Sequence, residues 1–184
     1  MYILGNSKNY LEDIMSRSVS VAIENTFLNK VQVKESIIVL AFSVLIPFLI
    51  HFVPVAGTPA GAVLLPIFIA PFAAIVFFRL NTGLIAALLS PVLNYLITGN
   101  PVYGTVGIIT FELVLFVLIS SLLIKFNPIK YIAAPVSVII SMFTVQLIFS
   151  PAGHFTVVLT AGLPGIILIS LINILILSFA KNSK

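Results

Sequence analysis

The chain has no cysteine and no tryptophan, and beyond residue 35 it has a single acidic side chain, Glu112. The missing thiols exclude disulfides and cysteine catalysis, although they leave the compartment open. Charge is scarce: only 8% of residues are Asp, Glu, Lys or Arg, against 60% hydrophobic. A soluble domain keeps a charged exterior, so that class is excluded. Motifs of catalysis are missing as well. There is no Walker loop, no Gly-x-Ser-x-Gly and no His-Glu-x-x-His. Two histidines and one carboxylate in an apolar setting make a poor metal set. No enzyme activity and no cofactor are expected.

What the chain does have is long, continuous apolar runs. Runs near ~20 residues fit transmembrane helices, because lipid leaves backbone groups to be satisfied within a helix or a closed barrel. The runs do not alternate in polarity, which excludes the barrel. The expected fold class is therefore an all-α membrane protein, six transmembrane helices in one bundle. Residues 1–35 form a cytoplasmic N-terminal tail and residues 36–180 the membrane domain. In the tail, Asn9 and Glu12 resemble a capping pair, and Leu11, Ile14, Met15, Ala22 and Ile23 share roughly one helical face. A peripheral amphipathic helix and a loosely ordered tail both fit. The spans are expected at 36–54, 62–78, 83–98, 105–124, 132–149 and 155–179.

The net charge of +4 is not a nucleic-acid signal. The tail is neutral, and the excess comes from Arg79, Lys125, Lys130, Lys181 and Lys184 at the ends of apolar runs. With six spans, all 9 basic residues fall on one side and none on the other. That separation places both termini in the cytoplasm, and five or seven spans would break it.

Polar groups inside the runs point to a site. An ionisable side chain in a membrane-length segment is costly and marks function by default. Glu112 in the fourth span is that residue. In the third span Gly83, Ala87, Ser90, Asn94 and Thr98 recur every three or four residues, one stripe that turns from small to polar and faces protein or water. Counted from the connecting turn, Asn94 and Glu112 both fall in the outer half, where they are expected to pair across one cavity. His51, Tyr95, Tyr103, Gln146 and His154 gather toward the same side. Together with Glu112 and Asn94 they form the candidate substrate-binding set. The histidines and tyrosines also suit an interfacial belt. Asn173 suits an interhelical hydrogen bond, and the small pairs Ala70/Ala74, Ser137/Ser141 and Ala161/Gly165 suit close helix packing.

Several short strings carry a resemblance. Leu65-Pro66 opens the second span and Arg79 marks the next turn. Leu89-Ser90-Pro91, the run from Leu96 through Thr98 and Gly99 to Pro101, and Phe111-Glu112-Leu113 follow. This stretch, about a quarter of the chain, resembles the substrate-binding S-components of energy-coupling factor (ECF) vitamin transporters. Two features depart from that pattern. Phe68 stands where members with this opening often carry histidine. Only Ala41 and Ser43 are small in the middle of the first span, where many members show Ala-x-x-x-Ala. The resemblance implies a prokaryotic plasma-membrane protein, embedded in lipid, that captures a vitamin or precursor from outside. Its partners would be a transmembrane coupling protein and two cytoplasmic ATPases, with no nucleic acid involved. Two other readings remain: a non-transporting scaffold resembling the rod-shape-determining membrane protein family, and a small ion-coupled carrier with Glu112 as its proton site.

The lack of native cysteine makes the topology directly testable. Thr58→Cys, Asn100→Cys and Gly153→Cys are expected to label from outside intact cells, and Asn81→Cys and Asn127→Cys only after permeabilisation. External labelling of Asn81→Cys would refute the six-span arrangement.

Overall fold

The computed structural model describes residues 30–51, 54–55, 58–59, 64–149 and 155–182, with side chains for most of these. The chain divides into two units. The first, Met1–Lys34, is described only in its last five residues, and the second is Glu35–Lys184. The described chain is helical, apart from a two-residue antiparallel pairing of β1 (Pro54–Val55) with β2 (Thr58–Pro59). Its helices are α1 (Lys30–His51), α2 (Ile69–Phe77), α3 (Leu80–Thr98), α4 (Tyr103–Leu123), α5 (Ala133–Phe149) and α6 (Phe155–Asn182). Among the described residues, five helices are long and apolar enough to cross a membrane, namely α1, α3, α4, α5 and α6.

The expected second span, 62–78, takes a different form. A 3-10 turn, Pro66–Phe68, runs into α2, and together they make one apolar helix of 12 residues. At 1.5–2 Å per residue this is about 20 Å long, short of the ~30 Å of a hydrocarbon core. The cause lies at Leu65-Pro66. Proline has no N–H to donate and disfavours helical geometry in the residue before it. Leu65 adopts the left-handed region at φ 51°. The other expected spans appear within a few residues, except that α1 starts at Lys30, ahead of the expected boundary at 36.

The short helix is surrounded by protein. Phe68, Ala70, Phe72 and Ala74 are all buried. Phe116 of α4 sets its ring edge-on to Phe68 with centroids 4.9 Å apart, and tilts against Phe72 at 6.3 Å. These rings belong to the main core, with Leu113, Val117, Val138, Met142 and Ile169. A second cluster, Val39, Ala70, Ala74 and Ala86, lets α1, α2 and α3 approach through small side chains. Outward faces stay apolar, as lipid requires: Ile37, Phe42 and Leu49 on α1, and Leu163, Ile167 and Leu171 on α6, are exposed.

The polar stripe of α3 turns inward, with Gly83, Ala87, Ser90 and Asn94 buried and Thr98 half-buried. Gly83 is the tightest point. A Cβ there would overlap Ile75 Cγ2 of α2 and lie 3.4 Å from Val117 Cγ1 of α4. On α6 it is Gly162 that faces the core while Ala161 is exposed, so the expected Ala161/Gly165 pair is corrected to Gly162 with Gly165. Met142 Cε and Leu65 Cδ1 come within 3.3 and 3.6 Å of the Cβ position of Gly162. Asn173 bonds between helices, as expected: its Oδ1 accepts from the Ala134 N–H at 3.3 Å, and its Nδ2 donates to the carbonyl oxygens of Lys130 and Tyr131.

Gly83→Val should therefore lower the thermal stability of the detergent-solubilised protein by the equivalent of about 1–3 kcal/mol, the usual cost of overpacking. Gly107→Ala is the control, because a Cβ at Gly107 meets nothing within 4 Å. It should be neutral or stabilising by up to about 1 kcal/mol. Equal losses for both variants would refute the close approach of α2 to α3.

Candidate functional site

Most hydroxyls in the spans are spent on their own helix. Ser43, Thr98, Thr110, Ser137, Thr144 and Ser170 each donate to the carbonyl four residues back. Such groups are satisfied locally and offer little to a ligand. The polar residues that remain separate into packing groups and groups with nothing to bond.

Asn94 is a packing group. Its Nδ2 donates to the Ser43 carbonyl of α1 at 2.9 Å and to the Ser90 carbonyl at 2.8 Å. Both N–H groups are used, so Asn94 ties α3 to α1. The expected pairing with Glu112 does not occur. Register explains why: Gly83 lies against Val117, and the Tyr95 and Tyr103 rings meet at 5.7 Å. On that antiparallel register Glu112 is level with about residue 87, about 10 Å along the helix axis from Asn94. Counting from the turn underestimates the gap, because α4 begins at Tyr103, inside the turn.

Glu112 is the tenth of 21 residues in α4, close to the middle of a helix long and apolar enough to cross a membrane. It is half-buried and has no hydrogen-bond or ion-pair partner among the described residues. Four residues on, and therefore on the same face, is Phe116. Across from it, Phe111 packs its ring on Phe149 at 5.9 Å, which brings the end of α5 level with Glu112. Gln146 stands one turn back from Phe149. Its Oε1 is fully buried and accepts no hydrogen bond from the described residues. Four residues before it is Met142, a member of the same core cluster as Phe116 and Phe68.

These relations place Glu112 and Gln146 near one level of neighbouring helices, next to packed core. Phe68, Phe116 and Met142 form an apolar floor, with Leu65 packed against the same cluster. Glu112 and Gln146 each stand one helical turn above that floor, on α4 and α5. Phe68 and Phe116 are almost fully buried there, so the floor is closed core. The first turn of the short helix adds few donors of its own. Pro66 has no N–H, the Phe68 N–H bonds the Leu65 carbonyl at 3.3 Å, and the Ile69 N–H bonds the Pro66 carbonyl.

The other candidates fall elsewhere or outside the described side chains. Tyr95 and Tyr103 pair with each other at the α3–α4 turn, about 13 Å along α4 from Glu112. The side chain of His51, and His154 altogether, lie outside the described residues. No cluster of three or more His, Cys, Asp or Glu is present among the described residues. Sequence periodicity does not single out the floor residues. Nor does it reveal a contact at the opposite end of the bundle. There Glu35 Oε2 lies 3.4 Å from Arg79 Nε and accepts a 3.2 Å hydrogen bond from Thr82. Glu35 is 15% exposed and Arg79 52%, so solvent screening leaves this pair a small share of stability.

Comparison with known protein families, with curated proteins and with solved structures found no match.

Asn94→Leu is expected to lower thermal stability by about 1–3 kcal/mol, since it strands the Ser43 carbonyl in the interior. Glu112→Gln should leave stability unchanged or improved, because no described group loses a partner. Thermal unfolding of both variants in one detergent checks this, and a larger loss for Glu112→Gln would refute the separation into packing and free groups.

Proposed function

We propose that this protein is a membrane-embedded solute-binding component of an importer, similar to the S-components of ECF transporters. It captures a small, vitamin-like molecule from outside and is not itself an enzyme. The observation that carries this reading is Glu112, close to the middle of α4, and Gln146 Oε1, near the same level on α5, neither with a partner among the described residues. A scaffold has no use for such groups, since each costs free energy unless something bonds it. A binding pocket of this kind is mostly apolar with few polar anchors.

The topology that goes with this reading has six crossings, with the short helix and its lead-in as the second, and both termini in the cytoplasm of a prokaryotic cell. Arg79, Lys125, Lys130 and Lys181 then share the cytoplasmic side, in keeping with the positive-inside rule. The resemblance over residues 64–113 supports a transmembrane coupling protein and two cytoplasmic ATPases as partners. The chain's lack of an ATP-binding motif fits energy supplied by a partner.

Mass spectrometry of the denatured, purified protein is expected to release one small molecule in near-stoichiometric amount. Vesicles holding this chain alone should bind that molecule but accumulate none of it. Concentrative uptake driven by a proton gradient would replace this reading with the ion-coupled carrier. A preparation with neither ligand nor uptake would favour the scaffold.

A further inference from the structure

The connection between α4 and α5, residues 124–132, is not built like a loop that faces water. It ends in a 3-10 turn, Ile129–Ile132, that feeds straight into α5. Phe126 is 58% exposed, Ile132 53%, and Ile129 and Tyr131 40% each. Among these apolar side chains stand two cations, Lys125, exposed, and Lys130, half-buried. The Lys130 ammonium lies 5.2 Å from the centroid of the Tyr131 ring, within cation–π range. The backbone is braced from two directions. The Lys130 N–H donates to the Phe126 carbonyl at 2.9 Å, and the Phe126 N–H to the Leu123 carbonyl at 3.1 Å. From α6, the fully buried Asn173 donates to the carbonyls of Lys130 and Tyr131.

Neither lysine has a counter-charge. Beyond residue 35 the chain's one acidic side chain is Glu112, about 17 Å from the end of α4. Glu35 faces Arg79, and among the described residues no carboxylate pairs with Lys125 or Lys130. The connection at the other end of α4, residues 99–102, also exposes an apolar side chain, Val102, but holds no Lys or Arg. Apolar groups are therefore exposed at both ends of α4, and cations at one. Because α4 and α5 are long and apolar enough to cross a membrane, the 124–132 connection falls where hydrocarbon gives way to headgroups. Exposed rings suit that boundary, and unpaired ammoniums there meet phosphates. A zwitterionic headgroup brings its own ammonium, whereas an anionic one leaves net negative charge for the protein to meet. Four exposed apolar side chains beside the cations favour lipid over an acidic protein surface.

We infer that the 124–132 connection is a docking surface for anionic phospholipids. Lys125 and Lys130 each meet a headgroup of the layer, and Phe126, Ile129 and Tyr131 seat at the acyl boundary. Such a surface needs no cavity. It stands apart from the solute-binding reading and requires only that α4 and α5 cross the membrane.

The test uses full-length protein in neutral detergent and native mass spectrometry, with dioleoylphosphatidylglycerol as the anionic probe and dioleoylphosphatidylcholine as the zwitterionic one. The anionic lipid should be retained at least about fivefold more tightly, the scale of one lysine at a charged lipid surface, with an advantage that shrinks as salt rises. Lys125→Gln and Lys130→Gln should each remove about fivefold of that affinity. Lys125→Gln should leave thermal stability without lipid unchanged, since no described carboxylate loses a partner. Lys181→Gln, which removes equal charge from the end of α6, should alter retention less than twofold, about the scale of a distant screened charge. Equal loss in Lys181→Gln would reduce the effect to net charge and overturn the surface. Equal retention of both lipids, or full retention in both loop variants, overturns it as well. Binding of sn-glycerol 3-phosphate as tight as that of the anionic lipid would assign the lysines to a soluble phosphate instead. Stabilisation by polyglutamate without any by the anionic lipid would assign them to an acidic protein.

Discussion

The bundle depends on where one helix is made to stop. Leu65 sits at φ 51°, a conformation that costs a non-glycine residue about 1–3 kcal/mol. Pro66 follows it, and the chain enters a 3-10 turn before the α-helix of residues 69–77 begins. Every other described helix of the bundle is long enough to cross a membrane. The short helix is the one described helix of the bundle that falls short of that length. Where it begins, Phe68 and Phe116 close the core.

Packing at the opposite end keeps the short helix in place. Gly83 lets α3 come hard against Ile75, and alanines at 70, 74 and 86 let Val39 of α1 settle on the same group. Lipid supplies no hydrophobic force between helices, so close contact and interhelical hydrogen bonds carry more of the association. Asn94 and Asn173 provide two such bonds. Asn94 holds α3 to α1, and Asn173 holds the start of α5, with the 3-10 turn before it, to α6. Each is satisfied by backbone on a neighbouring helix, which is why each reads as structural.

How much of this is legible in the sequence follows from periodicity and its limits. The long apolar runs mark the helices to within a few residues, because lipid leaves the backbone few alternatives. The inward face of α3 is legible too, since Gly83, Ala87, Ser90 and Asn94 share one helical side. Partner choice is not. Chain adjacency pairs Asn94 with Glu112, yet the carbonyl it reaches belongs to Ser43, 51 residues earlier. Residue spacing fixes which side of a helix a residue occupies but not which neighbour that side meets. The same gap hides Glu35, which a count of charges places in a neutral tail although it lies in α1 and reaches Arg79. The shortness of α2 is written at Leu65-Pro66, but proline inside apolar runs is common here, at Pro47, Pro91 and Pro164 within α1, α3 and α6. Those helices continue through their prolines, so sequence alone does not single out the one that breaks.

The contrast between satisfied and unsatisfied polar groups gives the site its meaning. A hydroxyl in a helix bonds back to its own turn at little cost, and an asparagine amide reaches a neighbouring backbone. A glutamate carboxylate has no donor of its own to offer when charged and needs one supplied. In α4 the preceding turn offers only carbonyls, and Phe111 and Phe116 on either side of Glu112 pack against other rings, so a donor must come from elsewhere. Gln146 Oε1, near that level on the next helix, likewise has no partner among the described residues. Ser90 and Ser120 also carry buried hydroxyl oxygens without partners among the described residues, so unmet hydrogen bonding runs along the inward faces of α3 and α4 as well.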